Sequence, residues 1–242
     1  MSKILTEIID AHGGLAYWRS LDSIEIEMSA SGFLFISKGV PPLSHVRMTL
    51  CTTRPEVAIH DYPAPGQTTR SFGDERVEII DEHGHVLQAR IRPREAFRQL
   101  RRLFRWDTLD FAYFSGYAIW GYMTTPFLFL HEGVEVTVAN DPGSDGYTRL
   151  AVKFPETLPV HSACQDFYFD KEHHLHRLDY TAEVVGSWAK AAHFCESYRQ
   201  FAGLSLPTRR RVYPKLLFNM PMKLITLVAI DIHEVIPHVA KS

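Results

Sequence analysis

The chain has 242 residues, 45% of them hydrophobic and 22% charged, the balance of an ordinary globular protein large enough for a sizeable core. Its formal net charge of −2, with Lys and Arg spread along the chain, argues against a broad nucleic-acid-binding face, which needs a net basic surface. Three cysteines (Cys51, Cys164 and Cys195) form an odd set without CxxC spacing, so a disulfide framework is not expected and a reducing compartment is.

Residues 2–19 read as a short helix: Ile4, Leu5, Ile8 and Ile9 share one stripe, and His12-Gly13-Gly14 supplies a stop or kink before Tyr17 and Trp18. Acidic residues interrupt the apolar run where an export signal would continue, so a cytoplasmic location is expected. Alternation from Ser23 to Ser29 marks a half-buried strand, and further strands are read over Gly32–Ser37, Ser44–Thr53 and Glu56–Tyr62. Arg76–Ile80 and His85–Arg90 make a hairpin around Asp81-Glu82-His83-Gly84. Two helices are expected next, over 93–105 and 107–123, the second capped by Asp107 or Thr108. Strands resume at Val134–Ala139, followed by a turn at Asn140–Gly146. The remaining strands are Tyr147–Phe154, His161–Asp170, Leu175–Val185, His193–Phe201, Pro207–Tyr213 and Leu224–Glu234. Each is set to pair with its neighbour in a meander, and no strand–helix alternation suggests a parallel sheet.

Phe111 to Leu130 runs twenty residues without a charge and holds three tyrosines, four phenylalanines and a tryptophan. Such a segment must be hidden from water, and Gly116, Gly121 and Pro126 break a transmembrane pattern. It is expected to be a buried helix against the inner face of a curved antiparallel sheet, an arrangement that favours a pocket for an apolar small molecule.

Several residues could carry chemistry there. Tyr113, Tyr117 and Trp120 share a helical stripe, either as core or as a pocket wall whose phenols donate to a ligand oxygen. Alternation puts Arg209 and Arg211 on one face of their strand and Arg210 on the other, either on a solvated edge or as the anchor of an acidic or carbonyl-bearing ligand. Asp179 and Asp231 sit among apolar neighbours and need a partner, with Arg209 or Arg211 as the structural choice for Asp231. His161 and His193 read as hydrogen-bonded core residues or as general bases. His83-Gly84-His85 and His173-His174-Leu175-His176 flank hairpin turns and are expected to be exposed loop histidines, not metal ligands. No short signature of nucleotide, metal or nucleophilic chemistry is present, so no cofactor is expected. The basic run Arg90–Arg105 reads as a surface helix, with an anionic membrane contact as its competing use.

The order helix, Gly-Gly, aromatic-Trp, strand in Ala11–Ile24 resembles bacterial proteins of the lipoprotein-carrier (LolA/LolB-like) fold, as do Leu158-Pro159, Phe167–Asp170 and Leu175–Tyr180. The chain is also similar over nearly its whole length to an uncharacterised bacterial protein family, through Trp106–Trp120, Asp179–Ala182 and Pro207–Pro214. The first resemblance implies a mainly β (α+β) fold, a curved antiparallel half-barrel closed by helices over an apolar cavity. With no domain boundary in view, residues 1–242 are read as a single domain with a helical insertion at about 93–123. The function expected is binding of a hydrophobic or lipid-like small molecule. The alternative is a cofactor-independent enzyme in the same cavity, with His161 or His193 as base, Asp179 or Asp231 as its partner, and Arg209, Arg211, Tyr113 and Tyr117 stabilising negative charge.

Overall fold

A computed structural model describes residues 2–139, 146–216 and 220–240; the turn expected at Asn140–Gly146 lies almost wholly outside them. Two short helices open the chain, α1 (Lys3–Ala11) and α2 (Leu15–Ser20). They are separated at Gly13, whose φ of +121° and whose approach to the Gly203 carbonyl leave no room for a Cβ. Six strands follow in a meander: β1 (Leu21–Ser31), β2 (Leu43–Cys51), β3 (Glu56–His60), β4 (Thr68–Phe72), β5 (Arg76–Ile80) and β6 (Val86–Ile91). A second meander holds β7 (Glu135–Val138), β8 (Thr148–Lys153), β9 (Cys164–Phe169), β10 (Leu175–Thr181), β11 (Lys190–Phe201), β12 (Leu204–Pro214) and β13 (Val228–Val239).

The described residues form one antiparallel sheet of thirteen strands, in the order β6-β5-β4-β3-β2-β1-β13-β12-β11-β10-β9-β8-β7. The last strand pairs with the first, from Leu21 opposite Val239 to Ser31 opposite Ala229, and this seam joins the two meanders. The two free edges are therefore β6 and β7, and the chain between them must cross the open side of the curved sheet. That crossing carries 3₁₀ turns at Pro93–Arg98, Leu100–Leu103 and Phe127–Leu130, and the central helix α4 (Thr108–Thr124). Topology alone thus puts the apolar segment in the concavity.

Several elements differ from the sequence reading, among them the last strand, read over Leu224–Glu234 and found over Val228–Val239. The stretch 93–105 is a pair of 3₁₀ turns, because its arginines fold back onto α4 instead of lining one solvated helical face. Residues Phe33–Lys38, read as strand, form the six-residue helix α3, stopped by Gly39 in the left-handed region at φ +66°. Strand β4 carries only Phe72 as a large apolar residue and gave no alternation strong enough to read.

A capping box fixes the start of α4: the Asp107 side chain accepts from the Asp110 N–H (2.9 Å) and the Asp110 carboxylate accepts from the Asp107 N–H (3.1 Å). Asp110 is fully buried and holds two guanidinium groups, Arg90 at 2.6 Å and the equally buried Arg102 at 2.7 Å. Along the helix, buried residues occur on every side, so no face is reserved for water. Its backbone lies close to β3, β4 and β5. Gly116 permits this approach, since a Cβ there would lie 2.8 Å from Ser71 Cβ. Further along, the Trp120 indole donates to the Cys51 carbonyl at 2.9 Å.

Two substitutions test this anchoring. Asp110→Ala leaves Arg102 buried without its carboxylate and should lower unfolding stability by about 3–5 kcal/mol in urea titration; a loss below about 1 kcal/mol would show that the pair does not hold the helix. Gly116→Ala should destabilise by about 1–3 kcal/mol despite the better helix propensity of alanine, because the added methyl meets rigid backbone-proximal atoms; a stabilised variant would contradict the close approach.

Candidate functional site

On the side away from β3–β5, α4 meets strands β9–β12 through side chains, and a polar cluster is enclosed there. Tyr117 and Tyr122, five residues apart on the helix, both reach His161, which precedes β9: Tyr117 Oη lies 3.2 Å from Nδ1 and Tyr122 Oη 2.7 Å from Nε2. The neutral ring has one N–H and one lone pair, so one phenol donates to it and the other accepts. Tyr122 Oη also lies 3.1 Å from Tyr180 Oη, and the Tyr180 ring stacks on His161 with centroids 4.0 Å apart.

Deeper in, His193 on β11 packs edge-on against Tyr122 with centroids 4.6 Å apart. Both of its ring nitrogens are buried without a hydrogen-bond partner. Next to it, Cys195 of β11 and Arg210 of β12 face each other across the ladder. The Arg210 guanidinium donates to Cys195 Sγ (3.2 Å) and to the Tyr122 carbonyl (3.0 Å) in the last turn of α4, where a cation complements the helix dipole. Its Nε has no partner, and among the described residues no carboxylate pairs with it. Unpaired polar atoms at this depth are uncommon and call for an explanation.

Burial sets the protonation states. It lowers His161 from its ordinary 6.5 to about 3, with the Arg94 charge adding to the effect. Burial also takes His193 well below its ordinary value, helped by Arg210 and His161. The same burial raises Tyr117, Tyr122 and Tyr180 and the Cys195 thiol. At neutral pH the cluster is therefore neutral imidazoles and protonated phenols and thiol around one cation.

Little open space remains around it. A cavity of about 20 Å³ lies between α4 and β9–β12, walled by Gly121, Leu128, Phe154, Phe167 and Leu178 beside the cluster residues. A second, of about 40 Å³, lies towards β1, β2 and β13, beside Phe111, Phe114 and Ile230. Each has room for one to a few waters. The open cavity expected from the sequence is largely taken up by α4 itself, because a helix apolar on all sides fills the concavity.

At the mouth, a groove of about 470 Å³ is lined by Asp74, Arg92, Arg94, Glu95, Phe97, Arg98, Glu183 and Val184. Arg94 ties its two sides together, donating to Tyr113 Oη (3.2 Å), the Val160 carbonyl (3.0 Å) and Glu183 (3.2 Å), while Tyr113 donates to Asp74 at 2.5 Å. On the outer face, a groove of about 390 Å³ crosses β7–β12, and most of its charges are matched within the protein: Asp179 with Lys215, Lys153 with Glu135, and Asp166 with Arg149, beside the exposed Lys190.

The structure thus separates the residues expected from sequence. His161, His193 and Tyr117 meet at the interior cluster, whereas Tyr113 sits at the mouth and Trp120 is turned towards β2. Asp179, Asp231, Arg209 and Arg211 point to the outer face and do not reach the interior. Arg177 and Lys215 hold Asp179, Arg211 forks onto Asp231 at 2.8 and 3.1 Å, and Arg209 lies 3.7 Å from Glu196. The strand parity was right and the side was reversed: Arg210 is the inward guanidinium. Asp231, expected among apolar atoms, has half its side chain in water because its strand is apolar on the inner face only. Arg210, Cys195 and Tyr180 were not singled out as site residues; the Arg211–Asp231 pairing was the one signal that would have turned Arg210 inward. In the second histidine tract His173 and His174 stand in the β9–β10 turn as expected and His176 lies on β10, but His174 packs on the Tyr198 ring and His176 on that of Tyr147.

Two solved structures share this architecture. Over 98% of its length the chain is similar to a LolA superfamily protein from Nitrosomonas europaea, with a TM-score of 0.52, 10% identity and 93% of that chain covered. Over 99% of its length it is similar to a DUF1329 family protein from Desulfovibrio piger, with a TM-score of 0.52, 12% identity and 93% of that chain covered. The fold is a LolA-like, curved antiparallel half-barrel with helices. No protein-family model matches the chain, and no curated protein sequence does either. Among the described residues no helix is long and apolar enough to cross a membrane.

The buried histidines impose a sign on acid stability. A folded-state value below the unfolded 6.5 means that the unfolded chain binds protons first as pH falls. The stability they permit is full above about pH 6.5 and is lost on the way down to about pH 3 for His161. Urea unfolding at about pH 4.5 should therefore give about 2–3 kcal/mol less stability on account of His161 than at about pH 7, and His161→Asn should remove that share of the pH dependence. A stability independent of pH over that range would contradict the buried neutral imidazoles.

Proposed function

We propose that the chain binds a hydrophobic, lipid-like small molecule in the space between α4 and strands β9–β12. The observation that carries this reading is the asymmetry of the helix's surroundings. Against β3–β5 it is seated by close contact at Gly116, beside an unpartnered Ser71 Oγ; against β9–β12 it is seated by rings, a small cavity and a concentration of buried nitrogens, two of His193 and one of Arg210, that lack partners. A guest's apolar body would replace ring contacts there, and a carbonyl or carboxylate head would accept from Arg210 Nε and from one nitrogen of His193. Because the standing cavities are small, entry requires the helix or its rings to shift. That cost is offset by apolar area removed from water at about 25 cal/mol per Å². The half-barrel likeness supports the reading by analogy of fold alone.

The acid–base enzyme draws less support. A histidine lowered to about 3 and phenols raised by burial are poor partners for proton transfer near neutrality. Among the described residues neither His161 nor His193 has a carboxylate within hydrogen-bond reach, and the aspartates expected to serve them face outward.

Titration with a fluorescent long-chain polyene fatty acid should show saturable binding of one molecule per chain. Gly121 borders the cavity with nothing within 4 Å of where its Cβ would stand. Gly121→Leu should therefore weaken binding by about tenfold or more, a loss of about 1.4 kcal/mol, with the thermal midpoint kept. Gly121→Ala should fold at least as stably as the natural chain. No saturable binding, or equal binding by Gly121→Leu, would sink the assignment.

A further inference from the structure

A surface rim outside the interior site joins three segments that are far apart in sequence. Helix α3 is tied at its start to residues 226–227, where Phe33 and Leu34 N–H groups donate to the Thr226 and Leu227 carbonyls, both at 2.9 Å. Its end is tied to the crossing segment: Lys38 Nζ donates to the Leu103 carbonyl at 2.5 Å and to that of Arg102 at 3.3 Å, and the Trp106 N–H donates to the Lys38 carbonyl at 3.0 Å. From this continuous rim protrude Ile36 (78% exposed), Phe104 (76%) and Leu224 (94%), with Phe33, Leu103 and Ile225 beside them.

Charge on the rim is one-sided. No Asp or Glu occurs in residues 30–55, 96–106 or 204–230, although the whole chain is net acidic by −2. Of the basic residues nearest these side chains in sequence, Arg102 is neutralised by Asp110 and the Lys38 amine is buried, while Arg105 is exposed, Lys223 is exposed over the Phe194 ring, and Arg98 is exposed at the edge of the groove it shares with Asp74, Glu95 and Glu183. We propose that this rim docks on the surface of an anionic lipid bilayer, Ile36, Phe104 and Leu224 entering the headgroup region and Arg98, Arg105 and Lys223 meeting lipid phosphates. Apolar side chains exposed to this degree, each on a different segment, suit a penetrable surface. A protein partner would need a matching set of pockets and would more naturally meet a flat or concave patch. The inference is independent of the interior ligand, since no rim side chain named here lines the cavity between α4 and β9–β12.

The test is flotation of the full chain with vesicles of phosphatidylglycerol mixed with phosphatidylcholine, against vesicles of phosphatidylcholine alone. Each exposed basic side chain at an anionic surface contributes about fivefold, so three predict a preference on the order of 100-fold, reduced by high salt. Ile36→Glu combined with Leu224→Glu should abolish flotation. Leu87→Glu, on the exposed edge strand β6, should leave it unchanged. Both positions of the double variant are solvent-exposed, and a retained circular dichroism spectrum and thermal midpoint exclude misfolding as the cause. Equal partition onto both vesicle types, or flotation untouched by the double variant, would overturn the proposal. So would a rim that fails to bind vesicles and instead forms a dimer abolished by Ile36→Glu and Leu224→Glu.

Discussion

A seventeen-residue helix with no polar face cannot stand in water, and the rest of this molecule is arranged to surround it. Closing the sheet through the β1–β13 seam leaves β6 and β7 as edges far apart, and the only chain between them is the one that holds α4. Burial of that helix and curvature of the sheet are therefore one constraint. The sheet needs something apolar for its inner face, and the helix needs apolar cover on all sides.

Cover is not equal all round. At the N-terminus the fully buried Asp110 is gripped by two guanidinium groups, and along β3–β5 a glycine brings backbone against sheet, so that half is fixed by geometry with little slack. On the other half the fit is made by rotatable rings and by a polar cluster that is incompletely satisfied. Natural interiors tolerate few such atoms, and retaining a buried guanidinium without a carboxylate carries a desolvation cost that an apolar residue would avoid. Capping the last turn of α4 offsets part of that cost, but it does not account for the two idle nitrogens of His193. A binding role explains both features with the same atoms.

Much of the fold was legible in the sequence because its signals are strong and local. The uncharged run from Phe111 could only be interior, and the helix found over Thr108–Thr124 departs from the expected 107–123 by one residue at each end. Alternation located most strands. What the sequence could not show was anything decided by a choice between two faces. The parity of Arg209, Arg210 and Arg211 was readable, but which face looks inward is set by the ladder with β13, where Arg211 forks onto Asp231. Phe33–Lys38 misled for a related reason: an apolar run bounded by glycine suits strand or helix, and its short helix exposes Phe33 and Ile36 because the segment lies on the rim, not over the core. The arginine run at 90–105 read as one surface element, yet Arg90 and Arg102 serve the buried Asp110 and Arg94 spans the mouth.

In the proposed binding mode the face of α4 towards β9–β12 gives way to an apolar guest while the face towards β3–β5 stays seated. A crystal structure with a long-chain fatty acid tests it most directly. The expected result is ligand density between α4 and β9–β12, with an oxygen within hydrogen-bond distance of Arg210 and the Gly116–Ser71 contact retained. Density confined to the mouth or the outer groove, over an interior packed as it is now, would contradict it.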